Sequence, residues 1–514
     1  MKNLIYLFAV LLLFSGCSNR NINKYSSINE EIEVFPDYKN IIIPVNIAPL
    51  NFLIKSEADE FMVQYVFNDE KYIPEIDKNK VVMPIKKWRK LMNRAVNDSI
   101  YVNIYKKGTS GWQKFNSFYW YVSEDSIDSY FSYRLIDPGY ERWNKMGIYM
   151  QNIENFEQST IFDNTLSGGG CMNCHEYNNR NPEEFMLHIR GNPGGTLVKT
   201  KETIKWLNTK TDFTMSAGVY PSWHPSGKYI AMSVNRIVQY FHNDPKMSIE
   251  VTDHASDLIV LDIDKNEITT SPKVSTKDNE TMPVWDPKGE YIYFIKTAQW
   301  NDTMEITDIR FDLFRIKYDA ESNTWGDVET VLEVSKIGKS ITLPKFSPSG
   351  RYILYTMTDY GNFTIHHKDA DLYMFDLKTK VYYPLSEANS DHVDSYHTWS
   401  SSSKWFLFSS KRLDGICSRP YISHVDENGK ASKAFVIPQK DPEFYLKTTQ
   451  SFNRPELMTG PVRIPAYKIR QLIYSEPELV SMDPSVELDA LSGATKFSEE
   501  YRNKDAEPYM RSGN

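Results

Sequence analysis

The sequence predicts an all-β protein whose larger part is a ring of repeated sheets. Aromatic residues make up 14% of the 514 residues, with 33 tyrosines and 26 phenylalanines. Many of them alternate with aliphatic residues, which is typical of half-buried strands. A phrase with an aromatic, a proline and a glycine at fixed offsets also recurs along the second half of the chain. Such a repeat predicts a fold built from one structural unit used several times.

The repeated phrase has the pattern W-x-P-x-G-x-Y-I, and each copy contains one aromatic anchor. The anchors of the four copies, the last of which is degraded, are Trp223, Trp285, Phe346 and Trp399. The proline and glycine after the anchor predict a tight turn, and an alternating strand follows it. A further strand recurs at 256–263, 311–316 and 370–377. We therefore predict one four-stranded blade per repeat, as in a β-propeller.

The propeller is expected to span residues 113–475, because four copies do not close a ring. Segments 113–165, 195–206 and 433–475 contain further strand-like runs. With these we expect six blades, and five or seven remain as alternatives. Ahead of the ring, 36–112 predicts a small β-sandwich-like domain with one helix near 84–96. Residues 17–35 are predicted as a polar tether and 476–514 as a charged C-terminal tail with partial disorder.

A C-x-x-C-H motif occupies residues 171–175, and this pattern is typical of covalent c-type haem attachment. Cys171 and Cys174 would form the two thioether bonds, and His175 would bind the iron as an axial ligand. A redox-active cysteine pair, a disulfide and a zinc site are the alternatives. We expect haem because a histidine follows directly and no βαβ pattern surrounds the pair. The motif is predicted to lie in a loop insertion at about 166–195, between strands of a blade.

The sixth iron ligand is predicted among residues shortly after the motif. Met186 and His188 face the same side of an extended segment, so either one would suffice, and a later residue or an open position are the alternatives. Arg190 would pair with a haem propionate or lie in solvent. His224 is interpreted as a turn residue and Cys417 as a small buried apolar residue.

The N-terminus predicts export and lipid anchoring. A lysine precedes an apolar run at 4–14, which has the length of a signal-peptide core, and Ser15-Gly16-Cys17 follows. We expect cleavage after residue 16 and lipidation of Cys17, with an ordinary secretory signal as the alternative. Ser18 and the absence of an acidic cluster after it favour an outer-membrane lipoprotein that faces the periplasm. The net charge of −8 argues against a nucleic-acid partner.

Over residues 215–425 the repeat phrase resembles the TolB-type propeller repeat of bacterial envelope proteins. Together with the C-x-x-C-H motif and the signal sequence, the chain is similar to TolB-like haem lipoproteins of Bacteroidota. The resemblance implies a membrane-anchored propeller with haem c. From the haem motif itself we expect electron transfer or redox sensing with a redox or envelope protein partner. A non-enzymatic scaffold with structural haem and a haem peroxidase-type enzyme are the alternatives. No G-x-S-x-G motif occurs, which argues against a propeller-capped serine peptidase.

Overall fold

The computed structural model describes residues 22, 24–137, 145–242, 249–301 and 303–492. The predicted signal peptide and Cys17 lie outside these residues. Within them, no helix is long and apolar enough to cross a membrane. The first domain contains the elements β1 Tyr25–Ser27, β2 Val34–Phe35, β3 Ile41–Pro44, β4 Phe52–Ile54, β5 Phe61–Phe67, β6 Glu70–Tyr72, β7 Glu75–Asp77, β8 Lys80–Val82, α1 Ile85–Arg94, β9 Asp98–Gly108, β10 Gly111–Lys114 and β11 Phe118–Ser123.

Two sheets and one helix form this domain. The larger sheet has the order β1-β10-β9-β11-β3, with β5 and β6 added beside β9, and the smaller has the order β2-β4-β8-β7. Helix α1 buries Trp88 against Tyr65 and Trp120, whose rings meet edge to face. The Trp88 indole donates to the Ile47 carbonyl at 2.8 Å, so the polar atom of this buried ring is satisfied.

The remaining elements follow in chain order and form the propeller. They are β12 Tyr130–Ile136, β13 Gly147–Asn152, β14 Gln158–Asp163, β15 Met172–Tyr177, β16 Phe185–Ile189, β17 Gly195–Lys199, β18 Ile204–Asn208, β19 Val219–Trp223, β20 Tyr229–Phe241, β21 Ile249–Asp262, β22 Glu267–Thr269, β23 Asn279–Trp285, β24 Tyr291–Thr297, β25 Asp312–Asp319, β26 Thr324–Leu332, β27 Ser340–Phe346, β28 Tyr352–Thr358, β29 Asp371–Asp376, β30 Val381–Pro384, β31 Asp394–Trp399, β32 Trp405–Ser410, β33 Arg419–His424, β34 Phe435–Val436, α2 Phe444–Lys447, β35 Ser451–Met458, α3 Ala466–Ile473, β36 Glu478–Leu479 and β37 Ser481–Met482.

In the described part of the chain these strands form six antiparallel blades, as predicted. Blade I has the order β35-β12-β13-β14, blade II β15 to β18, blade III β19 to β22, blade IV β23 to β26, blade V β27 to β30 and blade VI β31 to β34. The innermost strands β15, β19, β23, β27, β31 and β35 are neighbours around a central channel. Because β35 comes late in the chain yet pairs with β12, the two ends of the propeller close the ring within one sheet.

The repeat phrase forms the turn between the first two strands of a blade. In blade III, the His224 amide donates to the Tyr229 carbonyl at 2.9 Å, and the Gly227 amide donates to the His224 carbonyl at 2.9 Å. Gly227 has a φ of +75°, a conformation that glycine adopts without strain. The His224 ring bonds Ser226 and the Gly289 carbonyl, which confirms it as a turn residue.

Three domain assignments from the sequence are corrected by the structure. Strand β11, expected in an early blade, pairs with β9 and β3, so the first domain extends beyond residue 112. Residues 166–195 are not a loop insertion, because they contain the first two strands of blade II. The C-terminal tail is ordered as far as β36 and β37, which lie parallel to the outer strands β18 and β22.

The first domain shares one hydrophobic core with blades I, V and VI of the propeller. At this junction the buried Trp405 indole donates to the Asp125 carbonyl at 2.9 Å, and the Asp125 carboxylate contacts His424 at 2.9 Å. The Ser401 amide also donates to Asp128 at 2.8 Å. A continuous core with satisfied polar groups predicts that the domains unfold together.

We therefore predict that Trp405→Ala lowers the free energy of unfolding by about 3–5 kcal/mol, because it leaves a large cavity at the domain junction. Trp405→Phe keeps most of the volume and is expected to cost about 1 kcal/mol through the lost hydrogen bond. Urea denaturation followed by tryptophan fluorescence measures both values. A loss below 1 kcal/mol for Trp405→Ala, or two separate transitions in the wild type, would contradict this description of the junction.

Candidate functional site

The C-x-x-C-H motif lies on β15, the innermost strand of blade II, except for Cys171, which directly precedes this strand. Met172 pairs with Ile189 on β16, and Asn173 pairs with His188. The ladder then shifts register, so that Cys174 and His175 form a β-bulge before pairing resumes at Glu176. A bulge inserts an extra residue and redirects the side chains around it. The motif is therefore displayed by a local irregularity in an otherwise regular strand.

The same bulge occurs on every innermost strand in the described ring. Each has a register shift at the same place. At each bulge one residue other than glycine has a φ between +47° and +55°. These six residues, called the bulge ring below, are Cys174, Tyr220, Met282, Leu343, Tyr396 and Arg454. The segment Cys-His-Glu-Tyr from residue 174 is thus the blade II copy of the phrase that reads Tyr-Pro-Ser-Trp from residue 220.

His175 is buried, at 1% exposure, and neither nitrogen of its ring has a hydrogen-bond partner among the described residues. Burial lowers its pKa well below the usual value, and the guanidinium groups of Arg454 and Arg134 lower it further, so the imidazole is neutral. The Arg454 carbonyl opposes this shift without reaching hydrogen-bond geometry. Buried polar groups are normally hydrogen-bonded, so the two unpartnered ring nitrogens of His175 are an exception.

His397 provides an internal comparison, because it occupies the same position of the phrase in blade VI. It is also buried, at 3% exposure, and its Nε2 bonds the Leu354 carbonyl at 2.9 Å. Burial lowers the pKa of His397 to about 3. A histidine at this position therefore fits the propeller with one ring nitrogen bonded to the backbone, and His175 departs from that pattern.

Both cysteines of the motif are buried thiols that form no disulfide, but their side chains lie in different surroundings. Cys171 packs between blades I and II, in a cluster that includes Met146 and Met172. Cys174 faces the channel, where it lies close to Tyr220, Tyr396 and Arg454 of other blades. Two free thiols beside a neutral, unpartnered imidazole have the donor chemistry that haem c requires. In donor chemistry these residues fit that group, and the two thioether bonds would require Cys171 and Cys174 to reach the same porphyrin.

The two predicted sixth ligands lie on the face of blade II opposite to His175. Met186 is buried in the cluster between blades II and III, with Trp223 and Ile230. His188 points the same way as Met186 along β16, and its Nδ1 bonds Thr196 at 3.0 Å. His175 instead contacts Tyr177, which packs against blade I. With the sheet of blade II between them, neither Met186 nor His188 shares a face with His175.

Arg190 is held beside the start of the motif. Its amide donates to the Cys171 carbonyl at 2.7 Å, and its own carbonyl passes close to Gly170. A Cβ at position 170 would lie 2.2 Å from that oxygen, so the approach requires glycine. The half-buried Arg190 side chain lowers the pKa values of His188 and Asp253, which places its charge towards the channel.

The mouth of the channel is covered by a long extension of blade III that sequence reasoning missed. Ser233 pairs with the first residue of β19, so the part of β20 and β21 beyond it projects above the ring. Asp253 in this extension accepts from Asn362 of blade V at 2.7 Å. Glu250 accepts from Tyr360 at 3.0 Å and contacts His367 at 3.1 Å. The unusual length of 229–241 and 249–262 was the available sequence signal.

Asp253 is fully buried, and burial raises its pKa to about 7, although hydrogen bonds from Asn362, Asn235 and Thr281 and the charge of Arg190 oppose the shift. Its Oδ1 has no partner among the described residues, and neither has Oδ1 of Asn362.

Deeper in the channel, below the bulge ring, Lys345 of blade V forms an ion pair with Glu176 of blade II at 2.7 Å. This pair spans the channel, because blades II and V are opposite each other.

No protein-family model matches the chain, and no curated protein sequence matches it. Among solved structures, it is similar to an oligogalacturonate lyase in complex with manganese, with 9% identity, a TM-score of 0.30 and coverage of 58% of this chain and 91% of that one. A Pseudomonas aeruginosa periplasmic gluconolactonase has 10% identity, a TM-score of 0.29 and coverage of 60% and 97%.

A puromycin-hydrolysing peptidase of Mycobacterium tuberculosis is also similar, with 10% identity and a TM-score of 0.34 over 59% of this chain. The match covers 46% of the peptidase, so the chain spans less than half of that protein's length.

Asp253 predicts a specific pH dependence of stability. An unfolded aspartate titrates near 3.8 and Asp253 at about 7, so between these values the native state holds a proton that the unfolded chain has lost. The free energy of unfolding therefore falls as pH rises through this window, by up to about 1.4 kcal/mol per pH unit. We expect Asp253→Asn to gain stability relative to wild type from about pH 4 to pH 7, and no further above it.

Urea denaturation across this pH range measures the difference between variant and wild type. Asp319→Asn is the control, because backbone hydrogen bonding from Ser322 lowers the pKa of this exposed carboxyl, so its difference is expected to stay flat in the same window. Parallel curves for Asp253→Asn and wild type would contradict a titration of Asp253 near neutrality.

Proposed function

We propose that this protein is a single-haem c-type cytochrome in which a β-propeller carries the haem and that it transfers electrons. The observation that carries the proposal is the buried, neutral imidazole of His175, which has no hydrogen-bond partner among the described residues. A neutral ring nitrogen with a free lone pair is the form that binds iron. The equivalent His397 shows that the fold itself does not require this state.

Cys171, Cys174 and His175 would hold the haem, and Arg134, Arg190 and Arg454 would provide positive charge for its propionates. When bound, haem supplies a redox-active iron. The protein's own contribution would be the burial of Cys171, Cys174 and His175, since a low dielectric strengthens the effect of each nearby charge on reduction. His175, at the bulge of β15, would hold the iron through its imidazole.

The cellular setting belongs to the same proposal. The apolar run at 4–14 followed by Cys17 supports export and lipid anchoring, and covalent haem attachment in bacteria takes place outside the cytoplasm. We propose a TolB-like lipoprotein of the outer membrane that faces the periplasm and exchanges electrons with an envelope protein. The net charge of −8 favours a protein partner over a nucleic acid.

Haem attachment is tested by expressing the full chain with a cytochrome c maturation system. We expect wild type to retain haem after denaturing electrophoresis, and Cys171→Ser with Cys174→Ser to lose it, because no thioether bond forms. His175→Ala is expected to change the absorption spectrum through loss of the axial ligand, whereas the matched His397→Ala leaves the spectrum unchanged. Wild type without covalent haem, or equal effects of the two histidine variants, would refute the proposal.

We propose that Met146 would be the second residue to hold the iron, because it lies on the same side of blade II as Cys171. Its Sδ accepts a hydrogen bond from the Met172 amide, within the motif, at 3.4 Å, and iron would replace this donor; the residue is buried at 6% exposure. A thioether at this position would raise the reduction potential and close the iron to small ligands. Met186, which faces blade III, is the matched control.

We therefore predict that the ferrous wild-type protein does not bind carbon monoxide, that Met146→Ala binds it, and that Met186→Ala does not. Absorption spectra before and after addition of carbon monoxide show each result. Carbon monoxide binding by Met186→Ala alone would refute the Met146 assignment. Binding by wild type would favour the second candidate, a peroxidase-type enzyme with an open sixth position, which the distance of Met186 and His188 from the His175 face supports.

A further inference from the structure

Arg454 of the bulge ring carries a buried charge without a partner. Its side chain is 8% exposed, and the described residues provide it with no hydrogen bond or ion pair. Arg419 shows what a structural buried arginine looks like in this fold. It is fully buried, and its guanidinium donates to the carbonyls of Gln450 and Thr448, both at 2.5 Å. Arg454 has no equivalent of these carbonyls.

The acidic groups nearest to Arg454 do not satisfy it. Glu176 is already paired with Lys345 at 2.7 Å across the channel. Glu456 is buried, and burial raises its pKa, so it is held less firmly in the charged form. Both carboxylates raise the pKa of Arg454 through long-range electrostatic attraction, and neither forms a hydrogen bond with its guanidinium. An unpaired guanidinium in a buried site is unfavourable unless a further anion pairs with it.

Arg454, Tyr220 and Tyr396 of the bulge ring, with Asp253 and Asn362 above them, make up one polar stretch of the channel, called the chamber below. Tyr220 and Tyr396 of the bulge ring are half-buried there, and their hydroxyls form no hydrogen bond with the described residues. The Lys345–Glu176 pair closes the chamber below. Above it lie Oδ1 of Asp253 and Oδ1 of Asn362, both buried and without partners. The chamber thus has unused donors at one end and unused acceptors at the other.

We propose that this chamber binds a carboxylate, with Arg454 as its charge partner and the hydroxyls of Tyr220 and Tyr396 as further donors. A guanidinium supplies the charge that pairs with a carboxylate, and phenol hydroxyls are hydrogen-bond donors of the kind that a carboxylate accepts from. The oxygens of Asp253 and Asn362 would accept from a hydroxyl or amino group on the same molecule. The carboxylate is either that of a free small hydroxy acid or a propionate of the haem, and only the second source rests on the proposed function.

The test compares the full chain with and without haem, using lactate and acetate as probes and chloride at equal ionic strength as the reference. Without haem, we expect lactate to raise the melting temperature saturably, because it binds the native state alone. Calorimetric titration should then show binding at least about tenfold weaker in Arg454→Met than in wild type, which corresponds to about 1.4 kcal/mol. Arg454→Lys is expected to retain part of the affinity.

Arg351→Met is the matched control, because its guanidinium already bonds Asp376 and the Glu427 carbonyl near the surface, and it should bind lactate as wild type does. With haem, loss of lactate binding in wild type together with a lower reduction potential in Arg454→Met would identify a propionate as the occupant. Binding of lactate by a chain that never attaches haem would support the site while refuting the proposed function.

The proposal is overturned if the haem-free chain binds neither probe and Arg454→Met leaves the potential of the haem-loaded chain unchanged. It is also overturned if Arg454→Met and Arg351→Met weaken lactate binding equally. Arg454→Met is expected to fold, because removal of an unpaired buried charge stabilises a protein, and urea denaturation of the haem-free variant checks this directly.

Discussion

The pairing of β35 with β12 is the constraint on which the rest of the structure depends. It places a late strand at the centre of blade I and closes the ring of innermost strands. Without it, β12 would expose an unpaired edge and blade II would lose its neighbour. Closure also brings Arg454 next to Cys174, although they are far apart in sequence. The candidate site therefore exists only in the completed ring.

The bulge on each innermost strand gives every blade one irregular position, and in blade II this position holds part of the C-x-x-C-H motif. A left-handed φ at a residue other than glycine costs about 1–2 kcal/mol, and the propeller accepts it six times in the described ring. In blades III to V the bulge is followed by proline, which has no amide hydrogen to leave unpaired. In blade II the residue after the bulge residue is His175, so an imidazole stands where these blades have proline. The residues proposed to hold haem thus begin at the innermost strand of blade II.

The propeller was predictable from sequence because its signal is repeated. The anchors Trp223, Trp285 and Phe346 share proline and glycine at fixed offsets, and the turn physics behind these residues is local. Blade II escaped detection because Cys174 and His175 replace the tyrosine and proline of the phrase, and because the glycines at 168–170 resemble a loop. Only Tyr177, at the anchor position, remained as a signal.

Other features depended on contacts between distant parts of the chain. The donors Cys171, Cys174 and His175 were recognisable from their spacing, but the orientation of Met186 was not, since it depends on which blade packs against each face of β16. Arg454 carries no motif at all. Its importance follows from the absence of a partner in a buried setting, and neither burial nor pairing can be read from a sequence.

The most direct test of the account is peptide mapping by mass spectrometry of protein purified from cells that attach haem c. We predict one haem on the peptide that contains residues 171–175, with both cysteines resistant to alkylation after reduction. If the same peptide carries no haem and both thiols are alkylated, the unpartnered imidazole of His175 is not an iron ligand, and the central claim fails.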